Sequence, residues 1–470
     1  MTAPSAKFLF LSAPLPAPTN FARGGAVVDL FRQTTLTAVL LCGAIVAGPA
    51  AAEPEERAEQ TRLSDHLRRH PTDYAATYRY ALISRDLGDH EAAIGALERL
   101  LAFDPSLARA RKELGLLYAR LGAYQTAALH LRAALEAPDL DPAQKAQIEG
   151  VLPDVERQTE SSRWSARLQT GLRSQSNASF FPTDGLFMVS GVGVLSPAPR
   201  RADFNAFERV DIANDTDLDA ARSAQLETRF KGYATQQFHL ASYNVGVFGL
   251  SAGPRFALEE NFLPGASVKP YVTGLTSYVG GGNFLNSGGA GVVARLPLAG
   301  AALTLEPGVE YRYLGVSIGG PFASLSAIST GSAITASIGT IWRHSDALRL
   351  ETRAAFTRHS ADLRSQSFDE IDAQALARID FDPPFAALGL KWSIAPYGRI
   401  FQLAFGAVDP MVDPWRPRRD VGWAAGVLVE APVTREIGLS AAFEYARNES
   451  NLPNFRTDNL SVWFGPVARF

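Results

Sequence analysis

The sequence predicts a multidomain α + β chain: an N-terminal α-helical domain followed by a 14-stranded antiparallel transmembrane β-barrel. Three observations carry this. From Trp164 to Phe470 the chain falls into segments of about ten residues that alternate apolar with polar or small side chains. A period of two marks a strand, because successive side chains point to opposite faces. No stretch of this region is long and apolar enough for a membrane-spanning helix. Ahead of it, from about Thr61 to Gln158, the apolar period lengthens to that of a helix.

A chain of 470 residues has room for two or three domains. A net charge of −3 points neither to nucleic acid nor to an acidic substrate. Basic residues are interspersed with acids and form no nucleic-acid-binding stripe. Arg32 precedes a short apolar run, 36–46, and Ala50-Ala51-Ala52 offers a small-residue cleavage site. Residues 1–52 therefore read as a signal peptide with an over-long N-terminus. The single cysteine, Cys42, lies inside it. The mature chain would then hold no disulfide framework and no Cys-based metal site.

Residues 61–158 contain two units offset by 34 residues, with Leu87-Gly88-Asp89-His90 recurring as Leu121-Gly122-Ala123-Tyr124. Ala93 recurs as Ala127, Leu97 as Leu131 and Leu101 as Leu135. Small residues at Ala93 and Ala127 let two helices approach closely, and Gly88 and Gly122 supply the turn between them. This resembles the tetratricopeptide repeat, a helix–turn–helix unit of that length. Two units bury little surface alone, so flanking helices should cap them. One would come from residues 61–70; the other would start at Asp141 as N-cap with Pro142 first in the helix, and Pro153 should kink or end it. Inner-face positions of the first helix of each unit, Tyr78, Leu82, Arg85, Arg109, Lys112 and Leu116, would form a periplasmic client-docking groove.

The barrel, 164–470, is read as strands starting near Trp164, Asp203, Arg222, Ser242, Ser267, Asn286, Ala302, Gly331, Ala347, Ser367, Trp392, Val421, Ile437 and Asp458. This even count puts both barrel ends on the periplasmic side. Connections at 298–301, 344–346 and 432–436 are short and fall on that side, whereas 176–202, 315–330, 408–420 and 448–457 are long and fall outside. Connections 256–266 and 381–391 are long for periplasmic turns. Trp164, Trp342 and Trp392 should sit at periplasmic strand ends and Trp415 and Trp423 near the outer rim, as interfacial rings do; Trp463, inside its strand, does not fit that pattern. Pro270, Pro307, Pro396 and Pro466 fall within strands and should mark bulges or strand limits. Expected lumen-lining residues are Arg167, Gln169, Arg173, Glu227, Arg229, Lys231, Glu306, Glu310, Arg312, Arg349, Glu351 and Arg353. Mixed signs suggest a wet lumen without the one-sign bias of an ion-selective pore. Phe470 supplies the terminal aromatic expected as the barrel-terminal signal for the barrel-assembly machinery.

Chemistry is not expected. His66 and His70 have helical metal-ligand spacing but no evident third ligand. His344-Ser345-Asp346 and Arg358-His359-Ser360 are the places where serine could meet histidine in the barrel, and neither has an orienting partner. No cofactor, metal or enzymatic activity is assigned. Arg416, Arg418 and Arg419 suit contact with anionic lipopolysaccharide.

The order of parts resembles the surface lipoprotein assembly modulators of Gram-negative bacteria. The match centres on Arg163-Trp164 and the run Gly171-Leu172-Arg173-Ser174-Gln175-Ser176-Asn177-Ala178, similar to that family's first barrel strand. Asp203-Phe204-Asn205-Ala206-Phe207 is similar to its second strand and Ala252-Gly253-Pro254-Arg255-Phe256 to the end of its fourth; Ser174 stands where tyrosine is expected. The resemblance implies an outer-membrane translocator, a monomer, that moves a lipoprotein or soluble client, with the helical repeats docking it in the periplasm. The alternatives are a polysaccharide export porin with a periplasmic repeat domain, or a general porin.

Overall fold

The structure is a computed structural model and describes residues 53–137, 140–196, 200–219, 223–258, 263–298, 302–317, 330–345, 347–383 and 390–470. The expected signal peptide, Arg222, Asp346 and most of the 315–330 and 381–391 connections lie outside these residues. Two compact units divide between Arg163 and Trp164.

The helical unit contains α1 (Glu53–Arg69), α2 (Tyr74–Asp86), α3 (His90–Phe103), α4 (Ala108–Arg120), α5 (Tyr124–Leu135) and α6 (Pro142–Thr159). The Asp73, Asp89 and Asp141 side chains cap α2, α3 and α6 by accepting from Ala76, Ala92 and Ala143 N–H groups. Gly88 and Gly122, both at φ +78°, make the left-handed turns within the two pairs. Ala93, Ala127, Leu114, Leu117 and Leu131 are fully buried, and each such leucine contributes about 1.5–3 kcal/mol. Gly115 lets α4 sit directly on α5, since a Cβ there would lie 2.7 Å from Leu131. The pairs are α2–α3 and α4–α5, with α1 against α2 and α6 against α5. Pro153 does not end α6: Ile148 and Val155, on either side of it, are both buried in one cluster with α5, and this packing carries the helix through the missing hydrogen bond.

The barrel is one closed sheet of fourteen strands, β1 and β4 to β16, in the order β1-β16-β15-…-β5-β4. They are β1 (Ser162–Gln175), β4 (Asp203–Asp217), β5 (Ala224–Gln237), β6 (Val245–Ala257), β7 (Ser267–Val279), β8 (Gly282–Leu298) and β9 (Leu303–Val316). The remainder are β10 (Gly331–Arg343), β11 (Leu348–Ala361), β12 (Phe368–Phe381), β13 (Trp392–Phe405), β14 (Arg419–Pro432), β15 (Ile437–Ser450) and β16 (Thr457–Arg469). The strand count therefore stands as expected, and both barrel termini lie at one end.

The register separates two faces. Leu168, Leu172, Val272, Val309, Ile338, Ile400, Phe443, Val462 and Phe464 point outward and are exposed. In the described strands the outward charged side chains are Glu208, Arg358, Asp369, Arg419, Arg447, Glu449 and Asp458, all in the loop-side half of their strands. The waist below them is uncharged, as hydrocarbon requires. Outward Trp164 and Trp392 begin strands at the terminal end and Trp342 closes one there, while outward Trp423 stands near the loop end.

The strand prolines are not bulges. Pairing lapses around Pro254 and Pro270, Pro307, Pro396 and Pro466, then resumes in the same register. The β7–β8 pair carries its register shift elsewhere, at Ser277/Tyr278. The missing N–H removes ladder bonds without inserting a residue.

The 176–202 connection, expected as plain loop, holds a hairpin, β2 (Leu186–Val189) and β3 (Val192–Leu195). It turns through Ser190 (φ 50°) and Gly191 (φ 83°), a pairing suited to a two-residue turn. Their N–H groups donate to Met411 and Val412 carbonyls at 2.9 Å, and Met188 exchanges bonds with the Asn454 side chain. Trp415 lies over Gly191. The hairpin is thus latched to the β13–β14 and β15–β16 loops. At the same end, β7 and β8 are joined only by Gly280 and Gly281.

Two outcomes are expected for the helical unit. Gly115→Val should destabilise it by about 1–3 kcal/mol through overpacking against Leu131, read as a lowered urea midpoint of the full chain's helical signal. His130 stacks on Tyr118, and burial together with nearby Arg111 lowers its pKa below 6.5. Its neutral form is favoured by folding, so this stability is present above 6.5 and lost as pH falls through the folded value; His130→Phe should flatten that slope.

Candidate functional site

The inner face of a closed barrel is set by the same alternation that builds the outer one. The register places Arg167, Gln169 and Arg173 on it from β1, and Glu227, Arg229 and Lys231 from β5. It adds Glu306, Glu310 and Arg312 from β9, and Arg349, Glu351 and Arg353 from β11.

These side chains are held in braces. At the terminal end Glu430, 3% exposed, receives Arg167, Arg469 at 2.7 Å and Arg378 at 3.8 Å, while Gln169 donates to Ser440 at 2.9 Å. At the waist Asp372 holds Arg399 and Arg353, and Arg399 also meets Glu370 at 3.1 Å. Glu310 takes Arg312 and the Tyr271 hydroxyl, and Glu444 takes the Tyr397 hydroxyl, the latter two at 2.8 Å. Arg173 donates to Tyr233 and Ser461 at 3.2 and 3.3 Å. On β5–β7, Glu227 binds Arg255 and Lys269. Arg349–Glu351, Arg295–Glu306 and Arg229–Asp215 pair at 2.8, 3.0 and 2.6 Å.

Each of these contacts joins positions no more than three strands apart around the wall. They run along the wall, not across the bore. Over the described strands, inward cations and carboxylates are nearly equal in number, so the lining has little net charge.

Four inward aromatic rings lie over glycines of the neighbouring strand: Phe207 over Gly171, Tyr271 over Gly291, Tyr397 over Gly426 and Phe401 over Gly422. A Cβ at any of these glycines would strike the ring. The glycine lets the ring lie flat against the wall, which covers exposed backbone. Trp463 faces inward too. It meets Phe207 edge-on at 5.4 Å and packs beside Ala395, Leu428 and Ala442, which explains a tryptophan far from either interface. One sector of the waist is therefore aromatic, with Phe207, Tyr233, Trp463 and Tyr397, and another is charged.

In the helical unit the six groove positions are spread over α2 and α4. Arg109 lies over the Tyr78 ring at 5.0 Å. Arg85 and Lys112 both pair with Glu113, and Lys112 donates to Gln147 of α6 at 3.2 Å. Burial and the Glu113 carboxylate push the Tyr78 phenol above its usual pKa. Leu82 and Leu116 are half-buried. Glu113 and Gln147 were not foreseen; the adjacent Lys112-Glu113 pair was the available signal.

The other sequence candidates are dispersed. His66 bonds Asp73 at 2.9 Å. His359 points inward and Ser360 outward, so that serine cannot meet its neighbouring histidine. Arg416 is tied to Asp413, and Arg418 to Asp420 between the Phe405 and Phe455 rings.

Glu430→Gln would leave three arginines around a neutral side chain. The reversal potential of the full chain in planar bilayers should shift toward anions, and Glu430→Asp should keep the wild-type value.

A closed antiparallel cylinder with an uncharged apolar waist and a polar bore is an outer-membrane β-barrel. No protein-family model matches the chain, and no curated protein matches it. Among solved structures, it is similar to the outer membrane channel DcaP of Acinetobacter baumannii, at 9% identity and TM-score 0.37 over 66% of this chain and 97% of that one. It is also similar to an anion-selective porin from Comamonas acidovorans, at 8% identity and TM-score 0.33 over 66% and 99% of the two chains. A bacterial polysaccharide outer membrane secretin follows at 12% identity and TM-score 0.30 over 65% and 98%. The fold assignment rests on the closed ladder itself.

Proposed function

We propose that this chain is an outer-membrane conduit through which a client protein, a lipoprotein or a soluble protein, reaches the cell surface or the medium. The observation that carries this reading is the course of the braces: ion pairs that follow the wall leave the centre to a passenger. A lining balanced in charge suits a passenger that is not a small ion. The helical unit lies in the periplasm in this reading, because the barrel's first strand starts, and its last strand ends, at the end opposite the latched loops. There the α2–α4–α6 face, stiffened by Glu113 and Gln147, presents Tyr78, Leu82, Arg109 and Leu116 to the client. The barrel works as a monomer, inserted by the barrel-assembly machinery, and contacts lipid and lipopolysaccharide through its belt and outer rim.

A second reading, export of a polysaccharide, is favoured by the aromatic sector of the waist, since sugar rings stack on such surfaces while their hydroxyls meet charged groups. Surface and secreted-protein profiles of a deletion strain separate the two. One or a few proteins should be stranded in the periplasm. Loss of an extracellular sugar polymer with an unchanged protein profile selects the second reading, and a change in small-solute uptake alone selects a general porin.

A further inference from the structure

The outward wall of β5–β9 contains a hollow of about 770 Å³, lined among others by Ala252, Pro254, Pro270, Val272, Ala290 and Val292. Its position coincides with a weak place in the cylinder. In the β6–β7 register Pro254 stands directly opposite Pro270, and pairing lapses between Ala252↔Val272 and Phe256↔Val268. Two opposed prolines have no N–H to exchange, so the ladder loses bonds where the hollow lies. At Gly253 the strands approach so closely that a Cβ would strike the Pro270 carbonyl.

The inner side of the same three strands is braced. Arg255 of β6 and Lys269 of β7 converge on Glu227 of β5, and Arg255 also donates to Ser267 of β7 at 3.1 Å. Side chains on the bore side thus hold β5, β6 and β7 together where backbone bonds are missing. On the other side stands a concavity with almost no polar surface, continuous with the exposed apolar belt of Val272, Val292, Val309 and Tyr311.

We infer that this hollow is a seat for one acyl chain of a bilayer phospholipid, which seals the β6–β7 seam from outside as the Glu227 brace seals it from within. The occupant follows from place and chemistry. The hollow opens on the hydrocarbon-facing wall, a few residues from the ends of β6 and β7 that lie at the terminal end of the barrel. It is therefore level with the leaflet at that end. Small residues, Ala252 and Ala290, leave room for a flexible chain, and the lining has no charged side chain to hold a headgroup.

The test uses the full chain in vesicles of phosphatidylethanolamine and phosphatidylglycerol, containing a trace of phospholipid with a photoactivatable group in its acyl chain. After irradiation, adduct mapping by mass spectrometry should show severalfold more label on the peptides carrying Ala252–Val272 and Ala290–Val292 than on the outward faces of β14 and β15. Ala252→Phe with Ala290→Phe should abolish that excess while the barrel keeps its heat-modifiable migration. Should the double variant fail to fold, Val292→Phe alone serves, with a partial loss expected. Even labelling around the belt overturns the inference. So does a disulfide-linked dimer from Val292→Cys, which would make the occupant a second copy.

Discussion

A backbone placed in hydrocarbon has no water to turn to, so each N–H and C=O must find a partner inside the chain. The closure of β1 on β16 at one side and β4 at the other answers that demand, and the remaining features of the barrel follow from it. Alternation becomes an apolar belt outside and a polar lining within. Charges that do face outward are confined to the loop-side half. Where proline denies a ladder bond, register is kept and side chains take over, as at Glu227.

The braces also set a limit on what the lining can do. A lone ion pair in a wet bore is worth little, about 0–1 kcal/mol. Glu430 differs, because its carboxylate is buried under three arginines and would be costly to strand. The aromatic–glycine pairs stiffen the wall by another route: swinging Phe401 or Tyr397 inward would expose the backbone of Gly422 or Gly426.

Much of this was legible in the residues. Period two located each of the fourteen strands to within a few positions, with Asp203, Ser267, Gly331, Trp392 and Ile437 as observed first residues. The faces followed from the same parity, because a one-residue error would have put Arg167 and Glu310 in lipid. What was not legible depends on pairing between strands. Neither the partner of Trp463 nor the glycine beneath Tyr271 can be known until the register of neighbouring strands is known. The β2–β3 hairpin escaped notice because its short apolar runs sit in a long loop and owe their order to Met411, Val412 and Asn454, far away in the chain. At Pro153 local propensity predicts a kink or an early end, and burial of Ile148 and Val155 carries the helix past it. On the helical face, first-helix positions could be named, but not that Glu113 would neutralise Arg85 and Lys112.

The loop end is lopsided. From β13 round to β1 it carries the latched hairpin and the loops that clasp it, whereas between β7 and β8 the chain turns back after two glycines. Among the described residues, that contrast gathers ordered loop structure on the flank from β13 to β1. A large body arriving on that flank from beyond the membrane, such as a protease or an antibody, would meet the latched hairpin before the strand ends.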